Sequence, residues 1–253
     1  MFAICSYSGF YLITKKNLLY SLAYYRLRIK MVLKAVLFDL GLTLIQTASF
    51  PEIYGRILAQ FGTKVSIAHI LQAQNATAKE YDISTYDESR RKKFWVDYNV
   101  SVLKKLNIEK DIVFLATQID ELWWDNSGVR VFPDVEPTFQ GLIAKGLKLG
   151  LVSNGFKRDL DYVLGELKLE KWFDVIVCID SCNCAKPDNQ IFFYALDKLK
   201  IKPSETIFVG DSVPQDYNGA LGVGIKPYLL DREGKFPTSY DKIEKLTELL
   251  EFF

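Results

Sequence analysis

The chain has 253 residues, 49% of them hydrophobic and 25% charged, with a formal net charge of +1, which excludes a disordered polyelectrolyte and gives no global field for nucleic acid or lipid. Cys5, Cys178, Cys182 and Cys184 make no disulfide framework, so a reducing, cytoplasmic setting is expected. The single histidine, His69, excludes a multi-histidine zinc centre and leaves any chemistry to carboxylates.

Residues 1–30 are a basic, aromatic stretch carrying Lys15, Lys16, Arg26, Arg28 and Lys30 and no acid. No apolar run there is long enough for a transmembrane span, and the charges follow the apolar residues rather than precede them, unlike a signal peptide. Two readings are open. The stretch is expected to be either an amphipathic helix lying on a surface, or a loosely attached extension or an artefact of where translation was taken to start, since Met31 directly precedes the first predicted strand.

From Val32 to Phe38 an apolar run predicts a buried strand that ends on Asp39. Residues 47–128 then show helical spacing throughout, with pieces opening near Pro51, Ser66, Tyr86 and Glu109. Phe94, Tyr98, Val102 and Leu106 share one face, and Gly62 and Asn107 serve as stops. The region is expected to be a helical cap domain with its own small core. Four more strands are predicted at Leu147–Val152, Val175–Ile179, Thr206–Val209 and Ile225–Leu230. Helices lie between them, and residues 240–253 read as a short terminal helix. The expected fold class is α/β, a Rossmann-like parallel five-stranded sheet flanked by helices, built from residues 31–46 and 129–253. The sequence sets no oligomeric state.

Several of these strands end on polar residues at the edge where open α/β sheets bind ligands. Strand one ends in "FDLGLT", strand two in "LVSNG", and strand four in "VGDSVPQDYNGA", while "AKPDNQIF" opens a helix before strand four with Pro187 in its first turn. Each has a plain reading as a turn or cap, but together they require four coincidences along one sheet edge.

These four motifs in order, with a helical insertion between the first two, resemble the haloacid dehalogenase-like hydrolase superfamily over residues 32 to about 235. The resemblance implies a Mg2+-dependent phosphatase acting on a small phosphorylated metabolite, with Asp39 as nucleophile and an aspartyl phosphate intermediate. It implies a metal held by Asp39, the Gly41 carbonyl and Asp211, with Asp216 behind them or assisting the metal. Lys186 would neutralise Asp39 and the phosphoryl oxygens, Ser153 and the Asn154 backbone would bind phosphate, and Thr43 would orient the first loop.

One position departs from the pattern. The family's general acid, an aspartate two residues after the nucleophile, is replaced by Gly41, and the glycine that follows is Leu42. A backbone carbonyl survives that change but a general acid does not. Slow turnover, or restriction to acyl, aryl or pyrophosphoryl leaving groups, is therefore expected. The alternatives are a non-catalytic phosphate- or protein-binding module and a 2-haloacid dehalogenase, a branch that also lacks this aspartate. Arg90-Arg91-Lys92-Lys93 reads as a solvated face, His69 as non-catalytic, and Cys182-x-Cys184 as an incomplete metal half-site, while Trp123-Trp124 could line the cleft.

Overall fold

The computed structural model describes residues 33–81 and 93–253; the basic N-terminal stretch, Tyr86 and Arg90–Lys92 lie outside them. The first strand, β1 (Ala35–Phe38), lies between two parallel neighbours and is buried on both faces. Its alternating side chains explain why the run is continuously apolar. Val36 and Phe38 enter one hydrophobic cluster with Phe139, Leu149 and Val163. Ala35 and Leu37 enter the opposite one with Ile191, Phe192 and Phe208.

The sheet has six parallel strands. After β1 come a short strand β2 (Ile45–Gln46), its partner β3 (Arg130–Val131), and then β4 (Lys148–Val152), β5 (Val175–Val177), β6 (Thr206–Gly210), β7 (Lys226–Leu230) and β8 (Lys242–Ile243). The six-stranded order is β5-β4-β1-β6-β7-β8, while β2 and β3 form a separate antiparallel pair. Five strands were expected, and the sixth corrects that number. Part of the expected terminal helix is β8, held by Leu229 N donating to Asp241 O (2.9 Å) and Asp231 N to Ile243 O (2.8 Å). The rest, Leu246–Phe252, is a 3₁₀ helix. Its two buried leucines, Leu246 and Leu249, sit three residues apart, the repeat that a 3₁₀ helix stacks on one side.

The flanking helices bury apolar residues at helical spacing: Val135, Phe139 and Leu142 in the first, Leu160, Val163 and Leu164 in the second, and Phe192, Leu196 and Leu199 in the third. They are α6 (Val135–Ala144), α7 (Lys157–Glu166) and α9 (Asn189–Leu199); the insertion supplies α1 to α5 and a short α8 (Ile179–Cys182) precedes α9. Pro187 falls outside the helix it was expected to open. Asp188 is the N-cap of α9, its side chain accepting from Gln190 N, and the Lys186–Pro187 peptide is cis.

Between β2 and β3 the chain forms α1 (Phe50–Gln60), α2 (Ile67–Thr77), α3 (Phe94–Lys105), α4 (Ile112–Glu121) and α5 (Trp123–Ser127). Ser49 opens α1 by donating its backbone N–H to Glu52, the capping-box arrangement, with Pro51 in the first turn. Gly62 follows α1 with φ +74, a conformation glycine adopts without steric cost. These helices share their own apolar cluster, including Tyr54, Ile57, Val102 and Ile119. The β2–β3 pair joins the two ends of the insertion, so its length need not disturb the sheet. A smaller cluster of Phe94, Phe156, Ile179 and Ala185 packs α3 against the loops beyond β4 and β5. Leu33–Phe253 form one compact unit.

Candidate active site

The carboxyl ends of β1, β4 and β6 meet at one edge of the sheet because all three strands run parallel and adjacent. Asp39 is the first residue past β1, its backbone N–H donating to Val209 O at 2.9 Å. Lys186 comes from the loop before α9. Its Nζ donates to Asp39 Oδ1 at 2.6 Å and to Asp216 Oδ1 at 2.7 Å, and its side chain is 1% exposed. A buried ammonium needs such partners, since burial without them disfavours the charge. Burial pushes the Lys186 pKa down, but the charges of Asp39 and Asp216 more than reverse that and hold it raised.

Asn154 grips the same lysine from the other side. Its Oδ1 accepts from Lys186 N at 2.7 Å and its Nδ2 donates to Lys186 O at 2.9 Å. The resemblance implied only the Asn154 backbone, so this side-chain pairing is additional. Gly210 is required for a different reason: a Cβ there would sit 2.4 Å from Asp216 Cγ. Asp216 is tied further by accepting from Ser212 N at 3.0 Å.

Asp39, Asp211 and Asp216 each bring a carboxylate oxygen into a group whose atoms lie within 4.8 Å of one another. Asp216 thus stands close to the other two carboxylates. One lysine cannot neutralise three carboxylates. Burial, followed by the charges of Asp39 and Asp216, pushes the Asp211 pKa up to about 7. Burial and the Asp39 charge push Asp216 up to about 6. Clustered hard oxygens with uncompensated charge fit a Mg2+ ion.

This crowding gives a pH prediction. Both folded-state values lie above the ordinary aspartate value of 3.8, so between pH 4 and 7 these two groups bind more protons in the folded protein than in the unfolded chain. Without metal, the contribution of these two groups is fully present below about pH 4 and is lost as pH rises through 6 and 7. Magnesium favours the deprotonated groups, so it should raise Tm by several degrees at pH 8 and hardly at all at pH 5. Thermal unfolding with magnesium and with chelator checks this, and equal shifts at the two pH values would contradict it.

Ser153 is buried at the tip of β4, where its Oγ accepts from Gly155 N at 3.2 Å. Thr43 is buried and its hydroxyl has no hydrogen-bond partner among the described residues. Its carbonyl accepts from Arg232 Nη2 at 2.9 Å. Arg232 also forms a two-pronged pair with Asp134 (2.9 and 3.0 Å) and lies 3.8 Å above the Phe132 ring. This clamp on the first loop was not found from the sequence. Its one signal was that Arg232 lies just beyond β7, at the same sheet edge. Leu42, where the family pattern has glycine, takes φ +57 and is exposed.

Cys182 and Cys184 are joined in a disulfide, which removes them as metal ligands. Cys178 is a buried free thiol. His69 is exposed on α2, as is Lys93 before α3. Trp123 and Trp124 do line a cavity, of about 260 Å³, that also touches Leu40, Gly41 and Ser153. Among the described residues no helix is long and apolar enough to cross a membrane.

The sequence model for "haloacid dehalogenase-like hydrolase" matches residues 33–224. The mouse haloacid dehalogenase-like hydrolase domain-containing protein 3 is 29% identical over 72% of each chain. In other vertebrate relatives of that name the matched segment spans about half of their length. The glyceraldehyde 3-phosphate phosphatase of Methanothermobacter thermautotrophicus is 27% identical, over 87% of this chain and 100% of its own. Among solved structures, a HAD phosphatase from Thermococcus onnurineus superposes with TM-score 0.57 at 27% identity, covering 87% of this chain and 97% of its own. A 2-haloacid dehalogenase from Pseudomonas syringae gives 0.64 at 26% identity over the same shares.

Proposed function

This chain belongs to the haloacid dehalogenase-like hydrolase family, and from that premise we propose that it is a magnesium-dependent phosphatase acting on a small phosphorylated metabolite through an aspartyl phosphate on Asp39. The carrying observation is the buried contact of Lys186 with Asp39 and Asp216 inside a three-carboxylate group. The phosphatase names of the archaeal relatives support the same reaction class. The helical insertion would act as the cap that closes over this site.

Lys186 pins Asp39 Oδ1, which orients the carboxylate for attack. Asp39 forms a bond to phosphorus as the bond to the leaving oxygen breaks, and the leaving group departs with that electron pair. Water then attacks the same phosphorus, which releases inorganic phosphate and restores the Asp39 carboxylate. Ser153 and the Asn154 backbone would hydrogen-bond the transferring group, while the Asn154 side chain holds Lys186 in register. Thr43 and the Arg232 clamp would keep the first loop in place. When bound, magnesium held by Asp39, Asp211, Asp216 and the Gly41 carbonyl would neutralise charge on the phosphoryl oxygens.

Gly41 favours a second reading, a phosphate- or protein-binding module that has lost turnover. Dehalogenation fits less well, because three crowded carboxylates call for a cation that halide displacement does not use. Phosphate release from acetyl phosphate separates the readings, since its leaving group needs no proton. The enzyme should turn over with magnesium and stop with chelator, and beryllium fluoride with magnesium should dock on Asp39. Release no faster than the uncatalysed background would leave the binding module standing, and catalysed release indifferent to chelator would overturn the magnesium dependence.

A further inference from the structure

We propose that the leaving group this site accepts is a single aromatic ring, making the substrate an aryl phosphate monoester; this rests on the phosphatase reading and narrows it. The cavity of about 260 Å³ runs from Leu40, Gly41 and Ser153 at the reacting end to Phe50, Trp95, Trp123 and Trp124 on the helical insertion. An apolar cavity of about 150 Å³ is enough to hold benzene, so a ring attached to a phosphoryl group fits this one. Four half-buried aromatic side chains offer faces and edges for stacking.

Three polar side chains on the wall each have a protein partner. Asn99 Nδ2 donates to Ala116 O at 3.3 Å, Asp120 is ion-paired with Arg158, and Asp159 accepts from Trp124 Nε1 at 3.1 Å. The hydroxyls of a sugar or polyol that face the aromatic and aliphatic part of the wall would be buried without partners, at about 1–3 kcal/mol each. The second selection comes from Gly41. With no carboxyl there to protonate the leaving oxygen, a phenol, with a pKa of about 10, departs far more readily than an alkanol. Wall and missing acid therefore select the same chemistry independently.

The test uses the full chain with magnesium on phenyl, benzyl and acetyl phosphates and glyceraldehyde 3-phosphate. Phenyl phosphate should have a higher kcat/KM than benzyl phosphate and glyceraldehyde 3-phosphate, and benzyl phosphate should share its low KM but turn over slowly. Trp95→Ala, and independently Trp123→Leu, should raise KM for both ring substrates about 10-fold and leave acetyl phosphate within about twofold. A kcat/KM for glyceraldehyde 3-phosphate equal to or above that for phenyl phosphate overturns the proposal while leaving the phosphatase reading intact. So does an equal loss on acetyl phosphate in both variants. If no substrate is hydrolysed, the phosphatase reading fails, and tryptophan fluorescence then decides the ring proposal alone. Phenylphosphonate should bind about 10-fold tighter than methylphosphonate, and equal affinities would overturn it.

Discussion

Gly41→Asp is expected to speed hydrolysis of an alkyl phosphate such as glyceraldehyde 3-phosphate by about 10²–10⁴-fold, or roughly 3–5 kcal/mol of barrier. Position 41 has room for the change. A Cβ built there has no heavy atom within 4 Å, and Gly41 does not occupy the left-handed region that would strain a side chain. The new carboxyl would protonate the leaving oxygen and then take the proton from attacking water. The gain should therefore be largest where the leaving group is poorest and smallest for acetyl phosphate. Adding a fourth acid near Asp39, Asp211 and Asp216 also adds repulsion, so the variant should depend more steeply on magnesium. Steady-state kinetics on the two substrates measure the contrast. A folded variant with no gain on the alkyl substrate would show that a missing acid is not what limits this protein.

The largest loss is expected from Asp39→Asn. An amide neither attacks phosphorus nor keeps a negative charge opposite Lys186, so phosphate release should fall at least about 10⁴-fold, to the level set by binding alone. Folding should survive. Asparagine retains an oxygen that can accept from Lys186 Nζ, Asp216 still pairs with that lysine at 2.7 Å, and one of three crowded carboxylates is gone. The metal-free variant should have a Tm at pH 8 equal to or above that of the unaltered protein. A collapse of Tm along with activity would instead identify Asp39 as a structural ion-pair member.

Much of this site was legible because it is written at strand tips. Asp39, Ser153 and Asp211 each follow a buried apolar run, and parallel pairing of β1 with β4 and β6 brings those ends together. Lys186 was legible through its motif, although nothing in the sequence said that it would touch Asp216 as closely as Asp39. The Arg232–Asp134–Thr43 clamp was not legible, because its members come from three segments far apart in the chain and none sits in a recognisable spacing. The sixth strand escaped for another reason. Lys242–Ile243 is two residues long, too short for any alternation to register, and it is fixed by pairing with β7 rather than by its own pattern. The aromatic cavity needed the fold as well, since Trp95 and Trp123 lie on separate helices whose approach to Gly41 no periodicity encodes.

The central claim is that the Asp39 carboxylate attacks phosphorus and carries it covalently. Mixing the protein with magnesium and acetyl phosphate, quenching in acid within one turnover and sequencing the peptides by mass spectrometry reads this directly. A phosphoryl group on Asp39 is expected, absent with chelator and absent in Asp39→Asn. Phosphate released at full rate with no label on Asp39 would contradict it.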